Sequence, residues 1–288
     1  MIISVNNHKG GTGKSQTSIH LAEALARKLR TKNVLLVDND PQGDSSSKLL
    51  ADGDRAEPGL FELYAAAIDH EDLGIPAVDM FHVSKVYKNL YVCPNHEYTA
   101  GLEIPLIRNL DDCACFSVLQ RFLEVHSEQF DYIIIDNPPS WSAFVYNSLA
   151  AADCCVVPVL GASVDSLNGI RRTFDMIRKI KANVNPKLRF LRALVNNIDR
   201  RTTLGRGFYE HLLQAMGPDR VFETAIPISA DIQKAESEKT TVFTNYQNSG
   251  AAKAFRNLAD EVESIRIAMK EQYTILGISS DSDAKITE

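Results

Sequence analysis

Short apolar runs alternate along this chain with longer stretches of helical periodicity. Seven runs predict strands, at residues 2–5, 33–38, 89–94, 132–136, 154–159, 190–196 and 221–224. Most are apolar throughout rather than alternating with polar residues, which is typical of strands covered on both faces of a parallel sheet. The pattern therefore predicts an α/β fold, a mostly parallel, twisted sheet flanked by helices on both faces.

The stretches between these runs carry apolar residues at three- and four-residue spacing. Ile19, Ala22 and Leu25 begin such a stripe directly after the first strand, so a helix is expected there. Further helices are predicted at 60–68, 114–128, 166–182, 204–216 and 251–270. Because no linker divides the chain, we expect one domain over residues 1–276, followed by a disordered tail over 277–288 without apolar periodicity.

The composition is that of a globular protein, with 44% hydrophobic and 24% charged residues. No apolar run approaches the ~20 residues that cross a bilayer, so we expect no membrane partner and a cytoplasmic location. The five cysteines agree with that compartment. Cys154 and Cys155 lie in an apolar run as small hydrophobes, and Cys113 and Cys115 lack the second pair that a metal site needs.

Basic residues are concentrated in one segment of an otherwise acidic chain. The net charge of the chain is −6, yet residues 171–206 contain eleven lysines and arginines against two aspartates. That segment carries +9 and leaves −15 for the rest, an asymmetry that indicates a surface for a polyanion such as nucleic acid. A solvated helix face with scattered basic side chains is the alternative interpretation.

The strongest chemical signal is the glycine-rich segment HKGGTGKS at residues 8–15, between the first strand and the first helix. Glycines let backbone N–H groups approach anionic oxygens closely, and the helix N-terminus adds partial positive charge. The segment therefore predicts a phosphate-binding loop in which Lys14 reaches the β- and γ-phosphates of ATP and Ser15 ligates Mg²⁺. It departs from the common pattern at His8, where glycine is usual, and in carrying a second lysine, Lys9.

Aspartates follow two other predicted strands. Asp136 ends one of them, and Asp38 and Asp40 end the other. Since the carboxyl ends of parallel strands meet at one edge of a sheet, where ligands bind, these carboxylates are expected beside the phosphate loop. Asp136 is a candidate Mg²⁺ ligand, directly or through bound water. Of Asp38 and Asp40, one can hold metal-bound water and the other can orient the attacking water.

Three segments together resemble the ParA family of partition ATPases, within the deviant Walker A group that also contains MinD. They are HKGGTGKS, VDNDPQGDSSS and FDYIIIDNPPS, and the resemblance continues through NLYVCPN and ADCCVVPV. It spans nearly the whole chain apart from residues 50–85 and the tail. It implies a P-loop ATPase that forms a homodimeric sandwich around ATP and hydrolyses ATP slowly under stimulation by a partner. It also implies that hydrolysis drives segregation of a plasmid, a chromosome or another large cargo.

The resemblance also assigns roles to individual residues. Lys9 matches the signature lysine that reaches the nucleotide of the partner subunit, and Lys14 matches the phosphate-binding lysine. Asp40 matches the aspartate that sets up the hydrolytic water, and Asp136 matches the Walker B acid. The implied ATP-binding residues are Lys9, Gly10, Gly11, Thr12, Gly13, Lys14, Ser15, Gln16, Asn196 and Pro227.

Non-specific binding of double-stranded DNA by the ATP-bound dimer is a further implication, with a ParB-like or other adaptor as second partner and a nucleoid-associated location. The candidate DNA-binding residues are Arg200, Arg201, Arg206 and Lys234. The chain departs from the family at Ile228 and Asp231, where arginines are common. Only seven residues precede His8, so we expect a short form without an N-terminal helix-turn-helix and without site-specific operator binding.

Two other functions share this fold. A MinD-like, membrane-cycling ATPase would end in a basic amphipathic helix, whereas this chain ends in a polar segment rich in serine and acidic residues. A metal-cluster or anion-pump ATPase would need bridging cysteines near a dimer axis, and Cys113 and Cys115 do not match that position.

Overall fold

The computed structural model describes residues 1–30, 32–51, 57–69, 77–109, 114–161 and 166–275. Its centre is a seven-stranded sheet with the strand order β3-β4-β2-β5-β1-β6-β7. The strands are β1 (Ile2–Val5), β2 (Val34–Asp38), β3 (His82–Val83), β4 (Leu90–Cys93), β5 (Tyr132–Asp136), β6 (Cys154–Leu160) and β7 (Arg189–Asn196). All neighbouring pairs are parallel except β3 with β4, which is antiparallel.

Helices cover both faces of this sheet. They are α1 (Lys14–Leu29), α2 (Asp44–Leu49), α3 (Leu60–Ile68), α4 (Glu103–Asn109), α5 (Val118–His126), α6 (Ala143–Ala151), α7 (Ser166–Asn183), α8 (Thr203–Met216), α9 (Ala230–Ser237), α10 (Val242–Asn245) and α11 (Gly250–Ile275). None of the helices within the described ranges is both long and apolar enough to cross a membrane.

Strands β2 and β5 are apolar up to their final aspartates because both of their faces are buried. In β2, Val34 and Leu36 pack with α1 and α11 on one face, while Leu35 and Val37 pack with α3, α5 and α6 on the other. A third cluster packs α7 and α8 against β6 and β7. Burial of this kind stabilises the fold by about 25 cal/mol for each Å² of apolar surface removed from water.

The predicted α/β architecture is confirmed, and two local predictions are wrong. Residues 221–224 form no strand, because only a single bridge from Val221 to Ala193 extends the sheet there. The helix predicted at 114–128 is three pieces, a 3₁₀ turn at Ala114–Phe116, α5, and a 3₁₀ turn at Ser127–Gln129. The tail at 277–288 and Cys113 lie outside the described residues.

Candidate functional site

A cleft of about 440 Å³ opens at the carboxyl ends of the central strands. The phosphate-binding loop forms its floor, and its walls come from the segments after β2 and β5, the ends of β6 and β7, and the stretch from Ile226 through α9. The lining residues from these elements are Gly10, Gly11, Thr12, Gly13, Lys14, Ser15, Gln16, Asp40, Asp44, Lys48, Pro139, Leu160, Asn196, Asn197, Ile226, Pro227, Ser229, Ile232, Gln233 and Glu236.

The phosphate-binding loop owes its shape to two glycines and one buried amide. Gly11 and Gly13 have φ angles of 71° and 81°, in the left-handed region that glycine adopts without steric cost. The Asn196 side chain at the end of β7 donates from Nδ2 to Thr12 O at 2.9 Å and to Thr17 Oγ1 at 3.0 Å. A Cβ atom on Gly13 would lie 2.7 Å from that Nδ2 atom, so only glycine fits there.

Lys14 begins α1 and is held among carboxylates. Its side chain is largely buried, and its Nζ atom lies 3.4 Å from Lys9 O. Burial lowers the pKa of Lys14, whereas the nearby Asp136 and Asp40 carboxylates raise it. Its ammonium group is therefore positioned at the floor of the cleft and partly balanced by acids.

Asp136 at the end of β5 is cradled by serine hydroxyls. Ser18 Oγ donates to its Oδ1 atom at 3.0 Å, and Ser45 Oγ donates to Oδ2 at 2.6 Å. The Ser15 side chain is close enough to lower the pKa of this carboxylate as well. Burial raises the pKa of Asp136, and the three hydroxyls oppose that increase because they stabilise the carboxylate. The arrangement joins the start of α1 to the start of α2 through one carboxylate.

Asp38 lies beside Asp136, because the two residues are register partners on the adjacent strands β2 and β5. Its Oδ2 atom accepts from Ser46 N at 2.7 Å and from Ser46 Oγ at 2.6 Å, whereas its buried Oδ1 atom has no hydrogen-bond partner among the described residues. Burial, followed by repulsion from Asp136, raises the pKa of Asp38 well above its ordinary value. Two buried carboxylates facing each other favour the uptake of a proton or a cation.

Asp40 follows β2 and reaches the cleft from a tight turn. Its Oδ1 atom accepts from Gln42 N at 3.0 Å, and its carbonyl oxygen accepts from Gly43 N at 3.0 Å. Burial raises the pKa of Asp40, the Gln42 hydrogen bond lowers it, and Asp44 raises it further. Asp40 is thus more accessible than Asp38, and its carboxylate borders the open volume.

The two residues that distinguish this loop lie at its entrance. Lys9 is half-buried, and its backbone N–H donates to Asn7 Oδ1 at 3.0 Å. His8 stacks on Trp141, which belongs to the segment after β5, with ring centroids 5.5 Å apart and planes inclined by 6°. Trp141 is the single tryptophan of the chain, so its fluorescence reports on the phosphate-binding loop.

The structure brings most of the predicted nucleotide residues together, whereas the predicted DNA residues do not belong to the described lining of the cleft. Gly10 to Gln16, Asp40, Asn196 and Pro227 line the cleft, while Asp38 and Asp136 lie buried behind it. Arg200, Arg201 and Arg206 are exposed around the start of α8, and Lys234 is exposed on α9.

Two of the predicted DNA-binding side chains form ion pairs with nearby aspartates. Arg201 binds both carboxylate oxygens of Asp199 at 2.9 Å, and Lys234 Nζ lies 3.4 Å from Asp231 Oδ1. The Arg200 guanidinium lies 4.2 Å from the centroid of the Tyr209 ring. Both arginines remain accessible, since Arg201 is 91% exposed in its side chain and Arg200 is also exposed.

Sequence reasoning missed the serines that hold the acids. Ser18, Ser45 and Ser46 bind Asp136 and Asp38, and two of them belong to the serine run after the DPQG segment. That run beside an acidic strand end was the available signal. Lys48 and Glu236 were missed as well, although their side chains, 3.6 Å apart, join α2 to α9 across the cleft.

The donor set fits a nucleotide with a hard divalent cation. Backbone N–H groups and Lys14 can neutralise phosphates, and Ser15 with the acid pair offers the oxygen ligands that Mg²⁺ prefers. Asn196 retains a buried Oδ1 atom without a partner among the described residues, which can accept a hydrogen bond from a bound molecule.

Comparison with known proteins agrees with this geometry. A family model described as an AAA domain matches residues 1–190. The sporulation initiation inhibitor protein Soj of Bacillus subtilis is 32% identical over 261 residues, which cover 91% of this chain and 97% of that protein. The chromosome-partitioning ATPase Soj of Thermus thermophilus is 36% identical over 260 residues, covering 90% of this chain and 94% of that protein.

Solved structures show the same fold. Cobyrinic acid a,c-diamide synthase of Mycobacterium smegmatis with bound ADP and magnesium is 25% identical, with a TM-score of 0.72 over 90% of this chain and 92% of that one. The cell division ATPase MinD of Pyrococcus furiosus, at 21% identity, has a TM-score of 0.68 over 92% of this chain and 98% of that one. At that identity the likeness concerns the fold alone.

Proposed function

The chain belongs to the ParA/MinD family of deviant Walker A ATPases, and from that premise we propose that it binds ATP with Mg²⁺ in the cleft and hydrolyses it to position a large cargo on DNA. The observation that carries the proposal is the convergence of the phosphate-binding loop, Lys14, Asp40 and the serine-held Asp136 at one strand edge. The partition and sporulation proteins named above support the positioning role.

The residues divide the work of phosphoryl transfer between binding and water orientation. Backbone N–H groups of the loop and the Lys14 ammonium would hold the phosphates. Ser15 would ligate Mg²⁺, with Asp136 and Asp38 holding the surrounding waters. Magnesium, when bound, would supply the positive charge that neutralises the phosphates. The raised pKa values of the two buried acids fit a site that is completed by a cation.

Asp40 is the residue proposed to orient the attacking water. It borders the open volume of the cleft, whereas Asp38 and Asp136 are fully buried. Its turn is fixed by the hydrogen bonds of Gln42 and Gly43, so the carboxylate has a defined position before the nucleotide binds. Slow turnover that rises with a partner is part of the proposal.

Lys9 is proposed to act on the nucleotide of a second subunit. Lys14 already occupies the cleft floor, while the residues lining the cleft begin only after Lys9. ATP would thus be shared between two subunits, and a homodimer would form only while ATP is bound. Arg200, Arg201, Arg206 and Lys234 are proposed to contact DNA phosphates without sequence preference, at the nucleoid and in concert with an adaptor protein.

The test is a nucleotide-dependent switch on DNA. ATP turnover and binding of a random duplex are measured for the wild type and for Asp40→Asn, with ATP or ADP. We expect the wild type to bind DNA in ATP and release it in ADP, and Asp40→Asn to remain bound in ATP with turnover reduced at least about tenfold. Asp69→Asn, at an exposed position on the far end of α3, is the control.

Two results would contradict the proposal. Equal DNA affinity in ATP and ADP would remove the switch. Wild-type turnover in Asp40→Asn would remove the water-orienting role. Lys9→Ala separates dimerisation from nucleotide binding. On adding ATP, its Trp141 fluorescence should change as that of the wild type does, whereas light scattering should show that the variant stays monomeric.

A further inference from the structure

A second cluster of ligating side chains lies outside the residues that line the cleft. Glu57 and Glu62 flank the N-terminus of α3, and His96 follows β4. One carboxylate oxygen from each glutamate and one imidazole nitrogen all lie within 4.8 Å of one another. The cluster thus offers two oxygens and one nitrogen on a common point.

His96 is the unusual member of the cluster. Both of its ring nitrogens are shielded from solvent, and neither has a hydrogen-bond partner among the described residues. The ring is held by aromatic neighbours, with its centroid 5.0 Å from that of Phe61 and 5.6 Å from that of Tyr98. A buried polar atom without a hydrogen-bond partner destabilises the folded protein, so this imidazole is suited to a ligand.

The backbone that carries the three side chains is firmly joined. Leu60 N donates to Pro94 O at 2.9 Å, which ties the start of α3 to the end of β4. A Cβ atom on Gly59 would lie 2.5 Å from the same carbonyl oxygen, so the two segments pack at a distance that only glycine permits. The relative position of the glutamates and the histidine is therefore set by the fold.

The negative charge of the cluster is not balanced by basic side chains. Within the described part of the chain, neither Glu57 nor Glu62 forms an ion pair with lysine or arginine. Glu62 Oε2 accepts from Gly59 N at 2.7 Å and caps the helix, which leaves its Oε1 atom available. Two carboxylates next to an imidazole attract a cation.

We propose that Glu57, Glu62 and His96 form a binding site for a divalent transition metal of the zinc type. Imidazole nitrogen with carboxylate oxygen is a ligand set of such cations, and three protein ligands leave a fourth position for water. Ligands 2.0–2.2 Å from a tetrahedral ion lie about 3.4 Å apart, so side chains that now lie within 4.8 Å of one another need to close by at most about 1.4 Å around the metal. Mg²⁺ and Ca²⁺ prefer all-oxygen sites and are disfavoured by the imidazole.

Occupancy of this site would stiffen the loop that supports the Asp40 turn. Asn95, next to His96, donates its backbone N–H to Ser46 Oγ at 3.1 Å, and Ser46 Oγ in turn donates to Asp38 Oδ2 at 2.6 Å. The Asn95 carbonyl oxygen lies 2.8 Å from where a Cβ atom on Gly43 would be. The metal would therefore fasten α3 to the loop behind the acids, and it would raise thermal stability.

The test is zinc binding to the full chain without nucleotide, by competition with a chromophoric chelator after removal of metals. We expect one Zn²⁺ per chain, bound at least about tenfold more weakly by His96→Asn and by Glu57→Gln. His211→Asn and Glu97→Gln, the same substitutions at exposed positions outside the cluster, are the controls and should bind as the wild type does.

A second readout identifies the ligands. Co²⁺ in place of Zn²⁺ should give the visible absorption of a tetrahedral site in the wild type, and His96→Asn should lose it. Far-UV circular dichroism checks that each variant is folded. If His96→Asn does not fold, Glu57→Gln, at an exposed position, still tests the site. Undiminished affinity in both cluster variants, equal losses in the controls, or no stoichiometric zinc in the wild type would overturn the proposal.

Discussion

Replacing the loop glycines by alanine separates backbone strain from side-chain crowding in the phosphate-binding loop. Gly10 has no positive φ, and a Cβ atom there would meet only Pro139 Cβ at 3.9 Å. Gly11 has a φ of 71° with nothing within 4 Å, whereas Gly13 has a φ of 81° and the Asn196 amide at 2.7 Å. An alanine would therefore meet neither backbone strain nor crowding at Gly10, backbone strain alone at Gly11, and both at Gly13.

The expected losses follow from these distances. Gly10→Ala should change the free energy of unfolding by less than about 1 kcal/mol and can be stabilising, because alanine restricts the unfolded chain. Gly11→Ala should cost about 1 kcal/mol for the left-handed backbone. Gly13→Ala should cost about 3 kcal/mol, since displacing Asn196 also weakens its hydrogen bonds to Thr12 and Thr17, each worth about 1 kcal/mol.

Urea unfolding without nucleotide, followed by circular dichroism and Trp141 fluorescence, measures these differences. An Asn196→Ala background provides the internal control. There the crowding is gone, and the cost of Gly13→Ala should fall to that of Gly11→Ala. If Gly13→Ala and Gly11→Ala cost the same in the wild-type background, or if the Asn196→Ala background changes nothing, the Asn196 amide does not constrain the loop.

Three further predictions concern charge. Burial lowers the pKa of His20 to about 4. The free energy of unfolding should therefore have its full value above the ordinary pKa of 6.5 and fall by about 3 kcal/mol as the pH decreases towards 4. In urea unfolding, His20→Gln should flatten this pH dependence, whereas His211→Gln, at an exposed position, should not. Asp38→Asn should stabilise the nucleotide-free protein by about 1 kcal/mol or more at pH 7, because burial and Asp136 raise the pKa of Asp38 and the substitution removes its charge from a repulsive pair. The gain in stability should shrink towards pH 4, and an unchanged thermal midpoint at pH 7 would contradict the prediction. In fluorescence anisotropy, the double substitution Arg200→Glu with Arg201→Glu should weaken binding to any duplex about tenfold and reduce the slope of log affinity against log salt by about 0.9 for each lost phosphate contact. The control, Arg108→Glu with Arg121→Glu at exposed positions, should have little effect.

Local pattern was sufficient for six of the seven described strands, because these are short, largely apolar runs separated by helices, but it did not predict the two-residue strand β3. The phosphate-binding loop, Asp40 and Asp136 could likewise be placed, since a parallel sheet puts all strand ends at one edge. The pattern failed at residues 221–224, where an apolar run reads as a strand but makes a single bridge to Ala193. Whether such a run forms a strand depends on the edge of the sheet beside it in space, and the local sequence carries no information about that edge.

Contacts between residues distant in sequence decided the chemistry around the acids. Ser18 and Ser45, on α1 and α2, meet at Asp136, and Asp38 faces Asp136 only because β2 and β5 are neighbours in register. Asn196 reaches back 184 residues to Thr12. The convergence of Glu57, Glu62 and His96 was likewise invisible along the chain.

The sequence by itself determined the class of fold and the residues that bear phosphate chemistry, because helical and strand periods and glycine-rich turns are local properties of the chain. Tertiary structure alone decided which side chains hold those residues, which carboxylates repel each other, and which histidine is left without a partner. Burial, pKa and hydrogen-bond satisfaction depend on neighbours in space, and those neighbours are fixed only when the strands take their order in the sheet.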